Sequence, residues 1–446
     1  MRLTLLGACR EVSGSSFLIE TEGKKILLDC GFFQGIEYAE ERNYAPFSFN
    51  PKSIDFVIIG HAHLDHTGRL PKLVRDGFAG RIYATAPTKE LSQLVLEDNF
   101  KLMSEEAERD NHVPLYSQDH VEKVMSLFES VEYDKVLEIS SGIKLTLKNA
   151  GHILGSAITL IDSEDRRLVY TSDLGNEPSI LLNTPATVNF ADVVICESTY
   201  GGRVHEDISK RVQKLSQIIS TTINNNSVLM IPSFAIERTQ ELLHDIDQFC
   251  TINGCTRPEF FLDSPLASKA TVVFNKYPNF LNKKMQDTAR GDFLGLMRIK
   301  ITASVEESKG INEFPAPKII IAGAGMMNGG RILHHMMRYL PDSNNTLLVI
   351  GYQAKGTLGR RIIDGAKEIR IFGKNVPVCA DVVKIGSYSA HADMPQLINW
   401  LAQIKELKKA FIVHGETEQS LALAKNIDEK LKIDAVVPQI GESYEL

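Results

Sequence analysis

Six consecutive residues, His61-Ala62-His63-Leu64-Asp65-His66, hold four side chains able to bind a metal ion. Two histidines at i and i+2 at the end of a strand point to the same side. Asp65 and His66 follow where the chain turns into a helix. Neutral imidazole and carboxylate are the ligands that suit zinc. So dense a run is more than a solvated loop rich in histidine would give by chance. It cannot complete two metal sites alone, so further ligands are sought at other strand ends. His152 stands in Asn149-Ala-Gly-His-Ile-Leu-Gly-Ser156, Asp173 in Tyr170-Thr-Ser-Asp-Leu-Gly175, and His414 in Ile412-Val-His-Gly-Glu416. Five of the chain's 12 histidines then carry a ligand role.

The elements that must position them follow one pattern: a short apolar strand ends and a polar, metal-capable residue comes next. Lys25–Leu28 leads to Asp29, Phe56–Gly60 to His61, Leu168–Tyr170 to Asp173, and Val193–Cys196 to Glu197. Near the C-terminus, Val382–Gly386 leads towards His391 and Ala410–Val413 to His414. Strand ends on one edge of a sheet are where an α/β protein assembles a site. Helices are predicted over Thr88–Glu108, Gln118–Phe128 and Met394–Leu407. Residues 204–365 read instead as successive strand–loop–helix units. Ser227–Ile231 is followed by a helix from Glu237, Lys318–Ala322 by one from Arg331, and Leu347–Ile350 by one after Gly359. The expected organisation is a first domain part at 1–203, an inserted α/β domain at 204–365, and a second part at 366–446. The loop Gly323-Ala-Gly-Met-Met-Asn-Gly-Gly330 lacks the G-x-G-x-x-G spacing of a dinucleotide site, its third glycine falling one residue late. It reads equally as a backbone-amide cradle for a phosphate or as a tight packing turn.

A chain of 446 residues suits two or three domains, and 43% hydrophobic with 24% charged residues is ordinary for a globular protein. No apolar run approaches the ~20 residues of a membrane-spanning helix, so no membrane partner is expected. Met1–Gly7 is apolar only briefly and reads as a first strand, not a signal peptide. The six cysteines, Cys9, Cys30, Cys196, Cys250, Cys255 and Cys379, form no Cys-x-x-Cys pair, which fits reduced thiols in a cytoplasm. The net charge of −7 argues against a nucleic-acid partner until it is divided along the chain. Residues 204–365 carry 19 Lys and Arg against 15 Asp and Glu, a net of +4, and the remainder 30 against 41, a net of −11. The middle of the chain is its basic part.

His-x-His-x-Asp-His with a downstream histidine and aspartate resembles the metallo-β-lactamase fold, an αββα sandwich. The insertion, with Glu197 before it and His391 and His414 after it, resembles the β-CASP branch of that fold. That branch includes the pre-mRNA cleavage and polyadenylation nuclease and its prokaryotic relatives. The resemblance spans essentially the whole chain and extends to Glu197-Ser-Thr-Tyr-Gly-Gly-Arg203, Pro232-Ser-Phe-Ala-Ile-Glu-Arg238, Asp263-Ser-Pro-Leu266 and Ser387-Tyr-Ser-Ala-His-Ala-Asp393. It implies two zinc ions per chain, one held by His61, His63 and His152 and the other by Asp65, His66 and His414. Asp173 would bridge them, and Asp29 would orient a ligand from behind. Spacing alone does not assign these partners.

The implied activity is hydrolysis of RNA phosphodiesters by metal-bound hydroxide, with His391 as general acid oriented by Glu197. Single-stranded RNA is the expected substrate. The inserted basic domain would hold the strand, with Arg203, Arg238, Arg331 and Lys355 as phosphate contacts. The motifs do not separate endonuclease from 5′-to-3′ exonuclease action, and a homodimer is left open. Two other enzymes compete: a small-molecule ester or thioester hydrolase of the same fold, which needs neither the insertion nor His391, and a β-CASP DNA nuclease. The DNA-repair branch typically lacks the histidine matched by His414, which favours RNA. An inactive scaffold subunit would have lost ligands, and every ligand position is filled here.

Overall fold

The computed structural model describes residues 1–35, 39–253, 258–288, 294 and 298–446. Two compact units emerge. One joins Met1–Gln34 and the chain up to Val204 with His391–Leu446; the other is essentially His205–Ala390.

The first unit contains two seven-stranded sheets. One runs, edge to edge, Ser443–Glu445, Arg2–Leu5, Phe17–Thr21, Lys24–Leu28, Phe56–Ile58, Arg81–Ala84 and Phe128–Ser130. The other runs Asp434–Val436, Lys409–Val413, Val193–Glu197, Arg166–Tyr170, Ala157–Ser163, Ile143–Asn149 and Val136–Ser140. Alternation along each strand decides the layering. Val193 and Ile195 enter the core between the sheets, with Leu28, Ile58, Tyr170 and Phe411. Val194 and Cys196 face the other way, onto Leu397, Trp400 and Leu401 of the helix Met394–Ala402 and Leu423 and Ile427 of the helix Thr417–Leu431. The first sheet does the same with Leu27, Val57 and Ile82 against Leu73, Leu96, Val121 and Val124 of the helices Leu70–Arg75, Ala86–Asp110 and Gln118–Leu127. Burying both faces of both sheets gives the expected αββα sandwich.

The second unit is a six-stranded parallel sheet in the order Ile299–Ile301, Glu259–Asp263, Lys318–Ala322, Val228–Pro232, Thr346–Val349 and Asp381–Lys384. Its end corrects the boundary expected at 365. Asp381–Lys384 pairs with Thr346–Val349, and Ile369, Ile371 and Val376 pack with Met230, Ile320 and Leu347. The chain therefore stays in this unit to Ala390. Within the Gly-rich loop the Ala324 amide donates to Gly329 O, and a Cβ on Gly330 would lie 2.4 Å from Gly323 O. The loop is closed on itself, which favours the packing turn over the phosphate cradle.

Candidate metal centre

Parallel register brings the ligand carriers to one edge. Tyr170 is opposite Ile195, Ile195 opposite Phe411, and Glu197 opposite Val413. Asp173, Glu197 and His414 therefore leave adjacent strands at the same end. On the facing sheet Leu28 is opposite Ile58, so Asp29 and His61 leave together. His63 is the N-cap of the short helix Leu64–Thr67, which contains Asp65 and His66. His152 alone comes from a connection between antiparallel strands, Ile143–Asn149 and Ala157–Ser163.

Their donor atoms fall into two sets sharing Asp173. In the first, His61 Nε2 is 3.0 Å from His63 Nδ1 and 3.4 Å from Asp173 Oδ2. His152 Nε2 is 3.3 Å from His63 Nδ1 and 3.5 Å from Asp173 Oδ2. In the second, Asp173 Oδ1 is 3.5 Å from both His66 Nε2 and His414 Nε2, while Asp65 Oδ2 is 3.9 Å and 3.8 Å from those nitrogens. Ligands ~2.0–2.1 Å from a tetrahedral zinc stand about 3.4 Å apart. The first set's separations, 3.0 to 3.5 Å, lie around this value; the second set's, 3.5 to 3.9 Å, are wider. Asp173 Oδ1 is a buried carboxylate oxygen that accepts no hydrogen bond. Such a group is costly unless a cation faces it. The residues present fit metal binding, with one oxygen of Asp173 facing each donor set.

The far sides of the rings are tied down. His61 Nδ1 meets Ser172 Oγ at 3.1 Å, His66 Nδ1 meets Asp29 Oδ2 at 2.6 Å, and His414 Nδ1 meets Ser15 Oγ at 3.0 Å. Asp29 also accepts from the Gly60 amide at 2.8 Å and from the Tyr170 hydroxyl at 2.6 Å. A carboxylate on Nδ1 leaves the Nε2 lone pair facing the centre. Asp29, Ser172 and His414 all have positive φ, 58°, 50° and 49°, the left-handed region that most non-glycine residues avoid. Ser15, Ser172 and Tyr170 were not singled out in the sequence; hydroxyl residues are too common to flag, and only Ser172, beside Asp173, carried any signal.

Electrostatics divides the cluster. Burial, helped by His66, holds His61 well below the ordinary histidine range. Burial acts the same way on His66, but Asp173 and Asp29 outweigh it and hold that ring well above. Burial opposes the charge on Asp173 too, yet His414 and His66 keep it well below the usual carboxylate range.

His391 stands beside this cluster. Its Nδ1 is 3.1 Å from Glu197 Oε1 and 3.9 Å from Asp173 Oδ2. Its side chain is 16% exposed, whereas the rings of His61, His66, His152 and His414 are at most 4% exposed. Glu197 is fixed by the amides of Leu174 at 2.8 Å and Thr199 at 3.2 Å. Asp173, Glu197 and His391 also lie close enough to form a third metal-capable group.

The four basic residues expected on phosphate divide. Arg203 and Lys355 are exposed. Arg238 is 6% exposed, its guanidinium held by Glu241 and the Tyr388 carbonyl, both at 2.6 Å. Arg331 donates to Asp263 at 2.7 Å and to the carbonyls of Thr302 and Ala303 at 2.9 Å. Those two arginines are engaged as internal ties, unlike the free surface cations the sequence suggests. Cys9, Cys30, Cys196 and Cys250 are buried and Cys379 exposed; Cys255 lies outside the described residues. Among the described residues no helix is long and apolar enough to cross a membrane.

Family models match three segments: a metallo-beta-lactamase superfamily domain at 18–198, a Beta-Casp domain at 239–362, and a Zn-dependent metallo-hydrolase RNA specificity domain at 375–438. The chain is 38% identical to Ribonuclease TTHA0252 of Thermus thermophilus over 428 residues, 95% of each protein. It is 33% identical to an RNase J-like protein of Methanocaldococcus jannaschii, covering 98% of this chain and 97% of that one. It is also 33% identical to Transcription termination factor FttA of Methanosarcina mazei, covering 97% of this chain and 70% of that one. A crystal structure of an Enterococcus faecalis protein of unknown function shares the fold, with a TM-score of 0.56 at 12% identity over 100% of this chain and 99% of that one. With the ligand run, the inserted parallel sheet and full-length relatives in agreement, the chain belongs to the β-CASP family of metallo-β-lactamase-fold proteins.

Proposed function

We propose that this chain is a ribonuclease that hydrolyses single-stranded RNA with two zinc ions per chain, and that it works in the cytoplasm. The observation that carries the reading is the pair of donor sets sharing Asp173, with the His391–Glu197 pair beside them. Relatives named as ribonucleases, matched along nearly their whole length, support RNA as the substrate. So does charge: residues 205–390 carry 23 Lys and Arg against 17 Asp and Glu in a chain of net −7. Buried thiols suit a reducing compartment.

The first set would hold one ion through His61, His63 and His152, and the second would hold the other through Asp65, His66 and His414. Bound there, two zinc ions lower the pKa of an attacking water and neutralise charge on the phosphoryl oxygens. The chain supplies the rest. Asp173 ties the two sets together, and Asp29 keeps His66 turned towards them. Glu197 accepts a hydrogen bond from the Nδ1–H of His391, which turns the Nε2–H of that ring towards the departing 3′-oxygen. Arg203 and Lys355 are exposed cations suited to phosphates along the strand.

The test is metal analysis of protein purified without chelator, then incubation with labelled single-stranded RNA, single-stranded DNA and a thioester. Two zinc ions per chain and cleavage of RNA alone are expected. Trace metal, or thioester hydrolysis without RNA cleavage, would overturn the reading.

A further inference from the structure

We propose that the tip of the hairpin Glu368–Pro377 is a stacking platform for a nucleobase of single-stranded RNA, an accessory contact apart from the catalytic groups. The inference rests on the ribonuclease reading above. Strands Glu368–Ile371 and Lys374–Pro377 pair with Ile371 opposite Lys374, which leaves a two-residue turn, Phe372-Gly373. Both turn residues have positive φ, 47° and 76°. A turn of that kind is built for Asn-Gly, Asp-Gly or Gly-Gly. A phenylalanine in its first position is strained, and strain kept at one place points to a use. Burial does not offset it, because Phe372 is 56% exposed.

The ring is held, not loose. Ile369, Ile371 and Val376 anchor the hairpin in the core of its unit. Phe372 lies against the exposed His334 of the helix Ile332–Tyr339, with ring centroids 4.8 Å apart and planes 33° from parallel. Burial, His335 and Lys309 hold His334 below its ordinary value against the pull of Asp263, which favours the uncharged ring. Around the tip the chain is cationic: Lys367, Arg370 and Lys374 are exposed, with Glu368 the one acid between residues 366 and 376. Arg370 Nε donates to Gly373 O at 3.3 Å, which folds its guanidinium onto the turn.

A fixed aromatic face ringed by cations is how single strands are bound without regard to sequence, the ring stacking a base and the cations meeting phosphates. A protein partner fits less well. A stable interface buries roughly 800 Å² on each side, and the exposed side chains flanking this turn are Arg370, Lys374 and Asn375, with Ile371 buried.

The test uses the full chain with metal chelated, so that RNA binds without being cut, and reads anisotropy of a labelled oligouridylate. Phe372→Asn restores the Asn-Gly pair the turn prefers while removing the ring; Phe372→Trp keeps a ring. The Asn variant should melt no lower than wild type yet bind roughly tenfold or more weakly, with the Trp variant near wild type. Wild-type affinity in Phe372→Asn, or an equal loss in Phe372→Trp, would overturn the platform. So would a change of oligomeric state in Phe372→Asn with RNA affinity unaltered, which would make the ring a contact between copies. A metal-loaded wild type that neither binds nor cuts RNA would sink the ribonuclease reading and the platform with it. Normal cleavage with an unimpaired Asn variant would sink the platform alone.

Discussion

Glu197 accepts from His391 Nδ1 at 3.1 Å and 3.2 Å through its two oxygens, at the edge of the cluster built on Asp173. Burial works against a charged His391, but Glu197 and then Asp173 outweigh it, so the ring is held above the ordinary histidine value. A general acid must carry its proton, so the rate should fall as pH rises through that raised value. Glu197→Gln keeps the shape and removes the charge. Cleavage should fall by roughly 10²-fold with metal content intact, and the alkaline limb of the pH–rate profile should move to lower pH. An unmoved limb would show that Glu197 does not act through His391.

Asp29 is buried behind His66 and touches no other ring of the cluster in hydrogen-bond range. Asp29→Ala should loosen the second donor set and lower its metal affinity by about 10–100-fold. Competition with a chelator of known affinity would measure this. One of the two ions should be lost at chelator levels that leave both in wild type.

The buried ties and the exposed cations should part company. Arg238→Ala would strip Glu241 of its 2.6 Å partner inside the second unit, leaving Arg211 at 3.4 Å. With Arg211 still facing Glu241, the loss should be about 1–3 kcal/mol, read by chemical denaturation. Arg203→Ala should leave stability unchanged and weaken RNA binding, lowering the salt slope by about one. A salt-slope change in Arg238→Ala without destabilisation would restore it as a phosphate contact.

The strand-end pattern was legible because alternation and abrupt polar residues are local. Val193–Glu197 announces both its buried faces and the carboxylate at its end, and His61 to His66 stands out without a partner. What depends on distant pairing was not. The boundary at Ala390 follows from Asp381–Lys384 lying beside Thr346–Val349, a register no local pattern contains. Arg238 and Arg331 read as surface cations because a sequence shows charge but not the carboxylate that consumes it. Tyr170 and Ser15 became site residues only when folding brought them onto Asp29 and His414.

The ends of the cleaved RNA report the nucleophile. Water attack with the 3′-oxygen leaving gives a 5′-phosphate and a 3′-hydroxyl. End-labelling with a kinase, before and after phosphatase treatment, distinguishes these. A 2′,3′-cyclic phosphate as the main product would show that the 2′-oxygen attacked, and the mechanism would fail.

The sharpest division is between His391 and the ligands. Asp173→Asn should weaken both donor sets at once, because each of its oxygens faces one set, and metal and activity should fall together. His391→Ala should behave differently. Its ring lies outside both sets and is the most exposed of the clustered histidine rings compared above, so both ions should stay bound and RNA should still bind. The rate should fall by roughly 10²–10⁴, the usual worth of a positioned general acid. The third group formed by Asp173, Glu197 and His391 makes the alternative concrete: were His391 a ligand, metal content would drop with the rate. Were it structural, joined to Leu174 and Gly175 through its own segment, melting temperature would drop instead. Metal stoichiometry, melting temperature and single-turnover rate on the one variant therefore separate three roles. Loss of an ion, or full activity, would remove His391 from proton transfer.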